Sequence, residues 1–241
     1  MKKYVNLFVF VFMIGACLSQ GRAQTKSAVS YKNPVVDIAM PDPTVIKAAD
    51  GYFYVYATES TRNVPIMKSK DLVEWTYCNT AFTNKTRPRF EPKAGIWAPD
   101  INYINGKYVL YYAMSVWGGE QTCGIGVATA NSPQGPFTDH GKMFRSNEIG
   151  VQNSIDPSLL QYEGRNYLVW GSFRGIYVIE LTADGLSIMP GAKKKRIAGT
   201  AFEAVYIHKH GDYYYMFASI GSCCQGVKST YKVVVGRSKK V

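Results

Sequence analysis

The sequence predicts an all-β propeller on three observations. Short apolar strands recur about every 50 residues in one plan. Aromatic residues make up 14% of the chain, with 18 Tyr and 11 Phe. The same acidic position opens each recurrence. Aromatic side chains suit a pleated, half-buried surface, and periodic runs of helix formers are scarce, so an all-helical reading starts behind. With 241 residues and 46% hydrophobic content, one large β domain fits better than two average ones.

The four recurrences read DPTVIKAADGYFYVYATE from Asp42, DINYINGKYVLYYAMS from Asp100, DPSLLQYEGRNYLVWGSF from Asp156 and EAVYIHKHGDYYYMFASI from Glu203. In each, an apolar strand leads to a turn and then to an aromatic-rich strand. The turns fall at Asp50-Gly51, Asn105-Gly106, Glu163-Gly164 and Gly211-Asp212, where residues tolerant of positive φ are needed. Third strands are expected at 64–68, 124–130, 176–181 and 231–236. Three or four antiparallel strands at this period describe propeller blades. A sandwich also spaces strands regularly but gives no reason for an acidic residue at the head of each unit. The fourth repeat ends at Gly236-Arg237-Ser238-Lys239-Lys240-Val241, about where an outer strand should begin. That strand is expected either from the segment 30–37 or from a further blade beyond this chain.

Residues 1–23 read as a secretory signal: Lys2 and Lys3, an apolar run from Tyr4 to Ala16, then Gly21-Arg22-Ala23 before Gln24. The apolar run is too short for a transmembrane helix. Ile14-Gly15-Ala16-Cys17 offers a second reading, a lipoprotein anchored through Cys17. Both place the protein outside the cytoplasm, secreted or periplasmic, with the propeller at 24–241 and incomplete at its C-terminus. Loss of Lys2, Lys3 and Arg22 with the leader lowers the formal charge of +11 by three. Much of the remainder is local, at Lys193-Lys194-Lys195-Arg196 and near the C-terminus, and reads as solvated loop or as attraction to an acidic polysaccharide. No motif favours nucleic acid, and no partner protein is evident. Cys78, Cys123, Cys223 and Cys224 form neither a dense disulfide framework nor a zinc spacing. Adjacent cysteines seldom bond to each other, so pairing stays open.

In a propeller the first strand of each blade lines the axis. Asp42, Asp100, Asp156 and Glu203 are therefore candidates to face one funnel, although far apart in sequence. Crowding like charges raises some of their pKa values and costs stability. A lone Asp-Pro would simply start a turn, but acidic residues in register across repeats point to chemistry. Glycoside hydrolysis needs one protonated carboxyl for the leaving oxygen and one ionised carboxylate to activate water. A third can tune the acid by repulsion.

The set Pro41-Asp42-Pro43, Trp97-Ala98-Pro99-Asp100, Asn153-Ser154-Ile155-Asp156-Pro157 and Phe202-Glu203-Ala204 resembles glycoside hydrolase family 43. Cys223-Cys224-Gln225-Gly226, Ser229-Thr230-Tyr231 and Gly236-Arg237-Ser238 extend the resemblance, which runs from about Asn33 to the C-terminus. The double cysteine looks most like the branch of arabinan endo-1,5-α-L-arabinosidases. The resemblance implies a five-bladed propeller, with the last blade missing from this chain, and an inverting mechanism. It implies Asp42 as general base, Glu203 as general acid and Asp156 as tuner of the acid. Trp97, Gly118, Asn153 and Ser172-Phe173-Arg174 would surround the sugar, and Asp100 would be structural or substrate-orienting. The substrate would be α-1,5-arabinan or a related arabinose- or xylose-containing polysaccharide.

Departures from the pattern are Val205 where Pro usually follows Glu-Ala, Met40 where His is common, and Arg174 where Trp is frequent. They leave linkage and endo or exo action open. No cofactor is expected. The branch often holds an axial calcium through a His of the last blade, but His140, His208 and His210 do not match that motif, so no metal ligand is assigned. Trp97 reads equally as sugar platform or packing, Trp75, Trp117 and Trp170 as blade packing with Trp117 near the candidate rim, and His208 and His210 as surface. The rival readings are a non-catalytic carbohydrate-binding propeller and an exo-acting arabinofuranosidase, β-xylosidase or invertase-like hydrolase.

Overall fold

A computed structural model describes residues 30–241. The leader 1–23 and Cys17 lie outside the described residues. Fifteen strands form four antiparallel sheets, each in sequence order. Blade one holds β1 (Thr44–Lys47), β2 (Phe53–Tyr56), β3 (Pro65–Ser69) and β4 (Thr76–Thr80). Blade two holds β5 (Gly95–Ile104), β6 (Lys107–Ser115), β7 (Gly124–Ala130) and β8 (Thr138–Arg145). Blade three holds β9 (Ser158–Tyr162), β10 (Arg165–Trp170), β11 (Ile176–Glu180) and β12 (Lys195–Ala198). Blade four holds three strands, β13 (Glu203–His210), β14 (Tyr213–Ile220) and β15 (Lys232–Ser238). One short helix, α1 (Ser146–Ile149), follows β8.

The turn chemistry explains the hairpins. Asn105 and Gly106 both take positive φ, 48° and 81°, as do Glu163 and Gly164 at 48° and 74°. A two-residue turn of that kind matches the twist of the strands it joins.

Packing follows the period of two. Tyr108, Leu110, Tyr112 and Met114 of β6 point into a core shared with Tyr54, Tyr56, Ile66 and Phe82 of blade one. The alternate residues Val109 and Tyr111 join Leu168 and Trp170 of blade three. Between blades three and four, Leu160, Val169 and Ile176 meet Val205 and Ala218. First strands contact in series, β1 with β5, β5 with β9 and β9 with β13, so they stand around one axis.

Blade four differs. Its far face leaves Tyr206, Phe217 and Val235 exposed, in register across the three strands. Residues 30–43 carry no strand, so they do not supply the missing outer strand. The reason is local: Pro34, Pro41 and Pro43 each lack the N–H a ladder needs. The cysteines also correct the sequence reading. Cys223 and Cys224 are bonded to each other, and Cys78 and Cys123 are free. The pair sits in an irregular loop with Cys224 at φ 68°, away from the extended geometry that sends successive side chains to opposite faces.

Candidate active site

Asp42 precedes β1 with φ 49° and is exposed. Its Oδ2 accepts the hydroxyl of Thr58. Asp156 precedes β9 with φ 57° and keeps little exposed surface. Burial lifts its carboxyl well above the usual range, and the charges of Glu203 and then Asp42 push the same way. The Ala204 N–H opposes this by donating to it. Glu203 opens β13, opposite Ser219, and its Oε2 accepts the buried Ser172 hydroxyl at 2.7 Å. The Tyr231 hydroxyl also reaches Glu203 and Ser219, and burial raises its own pKa. Three blades thus contribute carboxylates to one electrostatic environment.

The backbone there is strained. Asp42, Ala98, Asn153, Asp156, Phe173 and Ala204 all take φ between 42° and 57°. Each left-handed non-glycine residue costs on the order of 1 kcal/mol and persists only where its surroundings hold it. Asp42 and Asp156 also precede prolines, which further restricts them.

The other expected residues are held by separate sets of partners. Asn153 Nδ2 donates to the Ser172 carbonyl at 3.1 Å, and Phe173 N–H donates to the Phe202 carbonyl at 2.9 Å. Together they seat Ser172 beside Glu203, with its hydroxyl on the carboxylate. Arg174 is committed to Glu120, with Nε to Oε2 at 3.0 Å and Nη2 to Oε1 at 2.9 Å. Trp97 is half-buried against Ala113, Cys123 and Ile155, and its ring lies 5.5 Å from that of Trp117. Trp117 is 79% exposed, so it is no packing residue; the Trp117-Gly118 turn, with Gly118 at φ 81°, lifts the ring clear. Trp170 is fully buried, as its packing role requires.

Asp100 is held apart from this chemistry. Its Oδ2 accepts from Leu159 N–H and Asn102 Nδ2, both at 2.7 Å, and Thr44 reaches Oδ1 at 3.4 Å. Burial lifts its pKa to about 6 even so. The carboxylate ties blades one, two and three and is structural.

Among the described residues, no three His, Cys, Asp or Glu side chains converge as a metal-binding group. His140 lies on the outer strand β8 beside Thr129, His208 stacks on exposed Tyr206, and the Asp100 oxygens are taken. None of the described residues is therefore assigned to a metal.

Sequence reasoning missed Thr58, Glu120 and Tyr231 as partners of the site. It also missed Glu59, next to Thr58. Burial opposes its ionisation, but the Arg87 hydrogen bonds and the N–H groups of Asn63 and Ile96 outweigh this and hold its pKa low. A signal for Thr58 was present: it stands two residues after the second strand of its repeat, as Ser172 does.

The fold is a β-propeller in which Asp42, Asp156 and Glu203, from three blades, act on one another electrostatically. Residues 31–241 match the model of glycosyl hydrolases family 43, and the chain belongs to that family. It is 37% identical over 214 residues to extracellular endo-α-(1→5)-L-arabinanase 1 of Bacillus subtilis (strain 168), covering 83% of this chain and 65% of that one. It is 35% identical to an extracellular exo-α-(1→5)-L-arabinofuranosidase of Cellvibrio japonicus (strain Ueda107), covering 83% and 64%. The chain therefore spans about two thirds of the length of these relatives. The structure of Cellvibrio cellulosa α-L-arabinanase superposes with a TM-score of 0.75 at 31% identity, over 85% of this chain and 72% of that one.

Proposed function

We propose that this chain carries the catalytic centre of an exported glycoside hydrolase that cleaves α-1,5-linked arabinan by an inverting mechanism. The observation that carries the reading is Asp156, a carboxyl raised by burial and by the charges of both Glu203 and Asp42. Ionising all three together is unfavourable, so one proton is retained in the cluster. Glu203 protonates the leaving glycosidic oxygen, and Asp156 keeps the next ionisation costly. Asp42 takes a proton from a water that attacks the anomeric carbon from the opposite face. The Trp97 and Trp117 rings offer an aromatic surface to a sugar, and Asn153, Gly118 and Phe173 are read as its further neighbours.

Relatives named as arabinanases support the substrate, and the names of two of them as extracellular support export. The leader at 1–23 supports export in the same way. A fifth blade would cover Tyr206, Phe217 and Val235 and close the ring. Endo and exo names both occur among the relatives, so the product profile decides between them.

Glu203→Gln and Asp42→Asn should each reduce release of reducing sugar from linear arabinan by at least about 100-fold, with circular dichroism unchanged. Full activity in both variants overturns the assignment.

A further inference from the structure

The Trp97-Ala98-Pro99-Asp100 stretch takes no part in the acid–base scheme, yet its backbone is linked to the Asp42 carboxylate through the Thr58 hydroxyl. β5 bulges between Trp97 and Asp100 where it pairs with β6. Pro99 has no N–H to give the ladder, and Ala98 takes a left-handed φ of 42°. A bulge re-aims the groups within it. Here the Ala98 N–H leaves the ladder and donates to Thr58 Oγ1 at 2.7 Å. Thr58 just follows β2, level with Asp42, and its own N–H donates to the Pro41 carbonyl at 2.9 Å. Its hydroxyl donates to Asp42 Oδ2.

A threonine hydroxyl has one proton and two lone pairs. With Ala98 N–H already on the oxygen, that proton is directed away from blade two and onto Asp42. Ser172 stands in the equivalent place beside Glu203, but its hydroxyl oxygen receives no such N–H among the described hydrogen bonds. It is free to rotate, donating to an ionised Glu203 or accepting from a protonated one. One repeat position thus carries a locked donor next to one carboxylate and a reversible partner next to the other.

We propose that Thr58, oriented by the Ala98 N–H, is a positioning residue for the base: it holds Oδ2 of Asp42 and leaves Oδ1 to accept the proton of the attacking water. The proposal rests on reading Asp42 as the base. It also assigns the bulge in blade two a task in blade one.

The test compares Thr58→Val, which removes the hydroxyl at nearly constant shape, with Thr58→Ser, which restores it. On linear arabinan, Thr58→Val should lower kcat about tenfold with KM within about twofold, and should move the acidic limb of kcat/KM up by about one pH unit. Thr58→Ser should recover both. The Asp42 carboxyl, followed by carbon-13 NMR in the free protein and assigned with Asp42→Asn, should titrate about one pH unit higher in Thr58→Val than in the parent. This readout does not depend on turnover. Parent-like kcat, pH limb and Asp42 titration in Thr58→Val overturn the proposal, as does a Thr58→Ser variant that resembles Thr58→Val. If Asp42→Asn keeps full activity, the base assignment falls. If Asp42→Asn is inactive while Thr58→Val matches the parent, only the positioning role falls.

Discussion

Blades two and four follow the same strand plan and end in opposite states. In blade two, every residue of β6 after Lys107 is buried, because blades one and three cover both faces of the sheet. In blade four, β14 is mostly half-buried and β15 is almost wholly exposed. Its apolar residues resemble those of blade two, but only blade three covers them. The carboxylates differ in the same way. Asp100 of blade two is walled in and satisfied by neighbouring donors, while Glu203 of blade four is only partly buried. A repeat therefore specifies strands and turns, while its neighbours set its burial and the chemistry of its carboxylate.

The sharpest way to break this contrast is a matched truncation. Leu110→Ala, in the fully covered β6, should cost about 3–4 kcal/mol through lost transfer energy and a cavity. Val235→Ala, at 61% exposure on the open face, should cost less than about 0.5 kcal/mol. Denaturant unfolding of both variants measures the difference, and equal losses would mean that the far face of blade four is covered.

A somewhat smaller effect distinguishes the buried carboxylate of blade two. Its pKa is raised to about 6 from an ordinary value of 3.8, so the folded state holds the proton more tightly than the unfolded chain. The resulting stability is fully present below pH 3.8 and is lost as pH rises through about 6. Relative to Asp100→Asn, the parent should lose about 3 kcal/mol between pH 3.5 and pH 7. Parallel denaturation curves across that range check it, and a constant difference would show that Asp100 is not desolvated.

The smallest effect belongs to blade four. Reduction of the Cys223–Cys224 bond should change the unfolding midpoint by less than about 1 °C, since a cross-link between neighbouring residues removes little entropy from the unfolded chain. Calorimetry with and without a phosphine reductant tests this. A large drop would show that the loop braces the blade.

Much was legible beforehand. Asn105-Gly106 and Glu163-Gly164 announced their hairpins because few residue pairs tolerate two positive φ angles. The acidic heads of the repeats announced that Asp42, Asp156 and Glu203 would act on one another, while Asp100, at the same place in its repeat, is taken up by Leu159 and Asn102. Other features gave no such signal. Ser172, expected beside the sugar, donates its hydroxyl to Glu203. Arg174, expected there too, pairs with Glu120, 54 residues away. Trp117 read as packing and stands in solvent. These outcomes depend on which loop lies opposite, and strand periodicity carries no information about that.

Local chemistry alone thus determined the all-β class, the blade register and the heads Asp42, Asp156 and Glu203, because turn preferences and the period of two act between near neighbours. Tertiary structure alone decided that Asp100 becomes a buried tie and Asp156 a raised carboxyl. Both outcomes arise from burial and from charges and donors that distant segments bring within reach, and those quantities exist only once the blades have packed.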